Sequence, residues 1–97
     1  MEFWIDTDRS DLGYNIVQEI EYLTGIQHPE FDSTNALPFI FKMLKNKDWV
    51  WHIETFDNSY VMTIHLNDDV RCFAQDIDLT RTIYLAYYDA IIYEYNK

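Results

Sequence analysis

Between Leu12 and Leu23 the apolar residues fall at Leu12, Ile16, Ile20 and Leu23. That four-and-three spacing gathers them into one stripe of a helix beginning at Ser10 or Asp11. Gly25 tolerates the left-handed conformation and is placed to end the helix, leaving His28-Pro29-Glu30 as loop. A second helix opens at Ser33 or Thr34, whose hydroxyls cap free amide groups, and Pro38 falls in or just beyond its first turn, where a missing N–H costs little. Its buried stripe is Leu37, Ile40, Phe41 and Leu44, Lys42 and Lys45 face water, and Asn46 closes it.

The period then drops to two. Trp49, Trp51 and Ile53 alternate with Val50, His52 and Glu54 as a half-buried strand, and Asp57-Asn58-Ser59 is a turn. Tyr60, Met62, Ile64 and Leu66 alternate with Val61, Thr63 and His65 as the next strand. Asn67-Asp68-Asp69 turns again and Val70 to Gln75 forms the third; short turns between three strands imply an antiparallel meander. A last helix, capped by Asp76 or Asp78, runs from about Leu79 to Tyr95 on a core face of Leu79, Ile83, Ala86 or Tyr87, and Ala90. The reading is an α+β fold of order α-α-β-β-β-α: a three-stranded antiparallel meander packed with three helices. Residues 1–9 fit an edge strand through Phe3, Trp4 and Ile5, or an arm laid on the core.

Composition keeps this as one domain over residues 1–97, because 97 residues with 48% hydrophobic and 18% aromatic side chains support one core and no second. A chain of this size buries roughly 60–65% of its unfolded surface. One cysteine, Cys72, excludes an intrachain disulfide and suits a reducing compartment. The first residues lack a basic segment followed by an apolar one, so no signal peptide is expected, and no apolar run reaches membrane-span length. The expected location is the cytoplasm.

Charge alters the functional picture more. Seventeen acidic against seven basic residues give a net charge of −10, which disfavours direct contact with nucleic acid or anionic membrane and favours a basic partner. The distribution is uneven: residues 1–32 carry −7, residues 33–47 carry +3 and residues 48–97 carry −6.

Three stretches together resemble the phage ABA sandwich domain, a family of small bacteriophage and prophage proteins. They are the opening helix ending in Gly (Asp11–Gly25), the Pro, aromatic and Ser-Thr lead into an amphipathic helix (Pro29–Leu44), and the aromatic-rich hairpin running into the helix Asp78–Ile91. The likeness spans roughly residues 11–92, and departs at Phe39-Ile40-Phe41 and in the Tyr-rich last helix. It implies an α-β-α layered fold and a phage origin, and brings no catalytic residues.

The residues offer little for catalysis. Only Gly13 and Gly25 are present, so a phosphate cradle is excluded, and neither a Gly-x-Ser-x-Gly elbow nor a Cys-x-x-Cys pair occurs. Mid-strand, Cys72 reads as a small core hydrophobe. Asp68-Asp69 serve a turn, and Asp6-Thr7-Asp8 lacks the glycine and distal glutamate of a calcium loop. The strand alternation sets His52, Glu54 and His65 on one face, a set from which zinc could be held, although solvated polar side chains on a sheet face would look the same. No cofactor is expected.

Two surface features remain. Five of the eight tyrosines lie in the last helix, and Tyr84, Tyr88, Ile91 and Tyr95 form a second apolar stripe. It either packs on the first helix or N-terminal arm, or serves as an interface for a partner or second copy. The acidic first third, with Asp6, Asp8, Asp11, Glu19 and Glu21, either confers solubility or docks a basic protein. The expected function is non-enzymatic: a phage protein that binds and inhibits a host protein, as an anti-defence (anti-CRISPR-type) or host-takeover factor. Alternatives are a nucleotide-sequestering oligomer using His52, His65 or Arg71, and a phage structural or assembly accessory.

Overall fold

A computed structural model describes residues 2–4, 13–30 and 33–96, with residues 2–4 and 13–15 described by their backbone. Its elements are β1 (Glu2–Trp4), α1 (Gly13–Thr24), α2 (Ala36–Asn46), β2 (Val50–Phe56), β3 (Ser59–His65), β4 (Arg71–Asp76) and α3 (Leu79–Tyr95). From α1 onward this is the α-α-β-β-β-α order read from the sequence. The meander β2-β3-β4 is antiparallel throughout. β1 adds a fourth strand, parallel to β4 with Phe3 opposite Cys72, and the sheet order is β1-β4-β3-β2.

Local chemistry sets the boundaries. Gly25 takes φ +70° and donates its N–H to Glu21 O at 2.8 Å, the left-handed helix end expected of it. The proposed helix start at Ser10 or Asp11 lies outside the described residues. Ser33 Oγ accepts the Asn35 N–H at 3.1 Å just ahead of α2, and Pro38 sits in the first turn. Asn46 is the last helical residue, but the left-handed residue that turns the chain is Asp48, at φ 59°. Trp49 is buried ahead of β2, donating its N–H to Leu44 O, and so belongs to the connection rather than the strand. The first hairpin turn is shorter than expected. Asp57 and Asn58 alone make it, both at positive φ (50° and 63°), the conformation of a two-residue turn that matches the strand twist.

Asp78 is the residue that caps α3: its carboxylate accepts the Arg81 N–H at 2.9 Å. Asp78→Ala is expected to cost about 1 kcal/mol, lowering the melting temperature by about 4–8 °C in a thermal denaturation scan.

The layers differ from those the resemblance implied. α3 packs on β3, β4 and β1, and α1 and α2 pack in turn on α3. α2 also reaches the same sheet face, where Phe41 stacks on Trp51 at 4.7 Å between ring centroids. All described helices therefore lie on one side of the sheet, with α3 as the inner layer, instead of on both sides. This accounts for the composition of α3, whose residues 82–91 are all buried. A helix apolar all round is stable only when surrounded. Its sheet-side partners are Met62, Ile64, Cys72 and Ala74, all fully buried, and its helix-side partners include Ile16, Val17, Ile20, Ile40 and Leu44.

Candidate functional site

The described surface is least like an ordinary solvated one at the end of the sheet where the β2–β3 turn meets the β4–α3 loop. Phe56 closes the hairpin and is 65% exposed; Ile77, between β4 and α3, is 79% exposed. A cavity of about 650 Å³ beside Ile77 is lined by Asp57, Ser59, Gln75, Asp76, Ile77, Asp78 and Arg81. Ile77 also borders an adjoining cavity of about 380 Å³ walled by Phe56 and Tyr60. Two large apolar side chains thus stand in water within an acidic rim.

That rim is held in place from below. Arg81 Nε donates to Asp76 Oδ2 at 3.2 Å, and Asp78 N–H donates to Asp76 Oδ1 at 2.9 Å. Thr82 Oγ1 donates to the carbonyls of Asp78 and Asp76 at 2.8 and 3.2 Å. Across the sheet end, Gln75 Nε2 donates to Ser59 Oγ, which donates to Phe56 O, both at 2.7 Å. Asp76 is spent on Arg81, whereas Asp57 and Asp78 stay at the exposed edge. The sequence reading missed this site. Its signal was Ile77, an apolar residue between two aspartates in a capping segment, and Phe56 immediately before a two-residue turn.

The open sheet face carries the histidine group. His52 lies opposite Thr63 and His65 opposite Val50, so the two rings are diagonal neighbours, with centroids 5.6 Å apart. His52 Nε2 lies 3.5 Å from Glu54 Oε1, and both side chains are more than half exposed. The three residues share a face as the alternation required. Among the described residues no group of three or more His, Cys, Asp or Glu side chains is arranged to hold a metal ion.

The tyrosine stripe needs correction. Tyr84, Tyr88 and Ile91 are 0%, 7% and 4% exposed, so they are core residues and cannot meet a partner. Only Tyr95, at 62%, reaches solvent. The stripe is internal because α3 is covered on two sides. Of the acidic set, Asp6, Asp8 and Asp11 lie outside the described residues, Glu19 is exposed, and Glu21 is half-buried with a structural task.

That task belongs to a buried polar clasp at His28, which the sequence reading left as loop. His28 is 4% exposed; its backbone N–H donates to Glu21 Oε2 at 2.8 Å, and its Nδ1 lies 2.8 Å from Ile26 O. A carbonyl can only accept, so Nδ1 carries the proton and Nε2 accepts from the Tyr87 hydroxyl at 3.0 Å. Burial lowers the pKa of His28, opposed by the Ile26 carbonyl and Glu21. Next to it, Tyr84 donates to Pro29 O at 2.7 Å, and burial, with Glu30 nearby, pushes its hydroxyl up to about 12. These bonds pin the α1–α2 connection to α3.

Cys72 is fully buried; desolvation first, then the adjacent Asp89 carboxylate, raises its thiol to about 12. A thiol so protonated is a poor nucleophile. A further cavity of about 400 Å³ lies among the C-terminal ends of α1, α2 and α3, lined by Leu23, Ile26, Met43, Tyr87, Ile91 and Tyr95, with the Lys47–Glu94 ion pair at its edge.

The chain matches no family model, and no curated protein or solved structure is significantly similar to it. No helix among the described residues is long and apolar enough to cross a membrane.

Proposed function

We propose that the chain is a non-enzymatic binding protein that occludes a basic surface of a protein partner, with the hairpin end as its contact. The observation that carries this reading is the exposure of Phe56 and Ile77, which share a cavity with Asp57, with Asp78 lining the adjoining one beside Ile77. Apolar side chains supply affinity once water is excluded around them, and carboxylates at the edge steer a Lys- or Arg-bearing surface into register. The net charge of −10 acts in the same direction at longer range. The resemblance to the phage ABA sandwich domain supplies the setting: a host cytoplasm, and a host protein such as a nucleic-acid-handling defence factor.

Immobilised protein challenged with host lysate is expected to retain a basic protein at low salt and release it as salt is raised. Phe56→Ser with Ile77→Ser is expected to weaken retention of that same protein by about tenfold or more. Retention unaffected by the double substitution would remove the hairpin end from the account.

The cavity of about 400 Å³ among the helix ends supports a second reading, a small-ligand binder, since its size is that of ordinary ligand pockets. A thermal-shift screen against nucleotides separates the two, with clear stabilisation by one ligand favouring the second.

A further inference from the structure

Among the described residues the β2 edge of the sheet has no neighbouring strand and is its least protected feature. β2 is the terminal strand, seven residues long, with residues 50–52 and 54–56 exposed and Ile53 half-buried. Exposed edges in stable proteins are ordinarily blunted by Lys, Pro, a bulge or short length. The segment Val-Trp-His-Ile-Glu-Thr-Phe contains neither Lys nor Pro, and its register with β3 runs unbroken through seven pairs. The opposite edge, β1, has three residues.

The direction of the free hydrogen-bonding groups follows from the turn. Two-residue closure at Asp57-Asn58 makes Phe56 and Ser59 a hydrogen-bonded pair. Alternation along the antiparallel ladder then turns the N–H and C=O of Thr55, Ile53 and Trp51 away from β3, toward solvent. Ile53 is the middle residue of the strand and of this outward set.

We infer that β2 pairs antiparallel with β2 of a second copy about a two-fold axis at Ile53, joining the two sheets into one. The sequence is complementary to itself about that point. Ile53 meets Ile53 of the second copy, and Trp51 meets Thr55, so the outward groups of all three residues are used. On the open face His52 meets Glu54 and Val50 meets Phe56, each pairing occurring twice by symmetry. A shift of register by two residues sets His52 against His52 or Glu54 against Glu54, which disfavours the alternatives. Charge selects the occupant: the cross-strand imidazole–carboxylate pair is satisfied by the same strand inverted. Two copies at −10 each repel, so the dimer strengthens as salt screens them, the opposite salt dependence from capture of a basic partner. The seam shares Phe56 with the hairpin-end contact but not Ile77, whose strand β3 separates from it, so the two are told apart by their opposite salt dependence.

Sedimentation equilibrium of the purified chain, across protein concentration and at low and high salt, tests it. The wild-type chain is expected to show a monomer–dimer equilibrium favoured by salt. His52→Glu, at an exposed position, is expected to weaken dimerisation by roughly fivefold or more by setting Glu against Glu twice. Adding Glu54→His to it restores the complement and is expected to recover the wild-type constant. Thr55→Pro removes only an outward N–H from an edge strand, so it is expected to leave an intact fold by circular dichroism and to abolish the dimer. A wild-type chain monomeric under all conditions would overturn the inference, as would a dimer indifferent to Thr55→Pro. Thr55→Pro-sensitive capture of a different protein by a monomeric chain would assign the edge to that partner and overturn the two-fold pairing.

Discussion

Leu85→Ala is expected to lower the unfolding free energy by about 2–5 kcal/mol, the range for emptying a fully buried leucine site. Against a total of about 5–15 kcal/mol for a domain, that is a large fraction, and it corresponds to a fall in melting temperature of about 4–8 °C for each kcal/mol. The size of the effect follows from the place of α3, which has the sheet on one side and α1 and α2 on the other, so neighbours fixed on both sides can collapse only in part into the space. Tyr95→Ala removes a larger side chain of the same helix and is expected to change stability by no more than about 0.5 kcal/mol, because Tyr95 is 62% exposed. Urea denaturation of the two variants side by side measures the contrast. Similar losses for both would contradict α3 as an enclosed layer.

Tyr87→Phe is expected to cost about 1–3 kcal/mol, since it removes the hydroxyl that satisfies the buried Nε2 of His28. The same clasp makes stability depend on pH, with a definite sign. The folded pKa of His28 is depressed below the ordinary histidine value of 6.5, mainly by burial. The unfolded chain therefore takes up the proton first as pH falls. The contribution from His28 is fully present above 6.5 and is lost as pH drops from there through the lowered folded value. Comparing wild type with His28→Gln in urea between about pH 8 and pH 5 isolates it: the wild-type advantage is expected to shrink steadily toward acid. An advantage that grows toward acid would mean that the ring is charged in the folded protein and the assigned tautomer is wrong.

The fold and the candidate contact differ in how far the residues alone disclose them. Element order was readable because each period is strong: Ile16 and Ile20 on one helix stripe, Met62 and Ile64 on one strand face, Asp78 as a cap. Depth was not. Tyr84, Tyr88 and Ile91 look like a second amphipathic stripe, and periodicity cannot distinguish a stripe that meets water from one that meets another helix. Their burial depends on where α1 and α2 fold back, which is a tertiary fact. His28 carried no local signal, because its partners Glu21 and Tyr87 come from two different helices. The exposed pair Phe56 and Ile77 was hidden for the opposite reason. Local patterns mark apolar residues as core, and only the assembled sheet end shows that nothing among the described residues covers them.

Removing three of the four stripe residues from the surface moves the proposed contact from the last helix to the hairpin end. Part of the acidic character moves with it, to Asp57 and Asp78. A photo-crosslinking residue placed at Ile77, and separately at exposed Lys45 on α2 as a control, tests that contact most directly in host lysate. The account predicts a discrete crosslink to a basic protein from position 77, lost at high salt and lost with Phe56→Ser, and none from position 45. A partner crosslinked from position 45 but not from position 77 would contradict it.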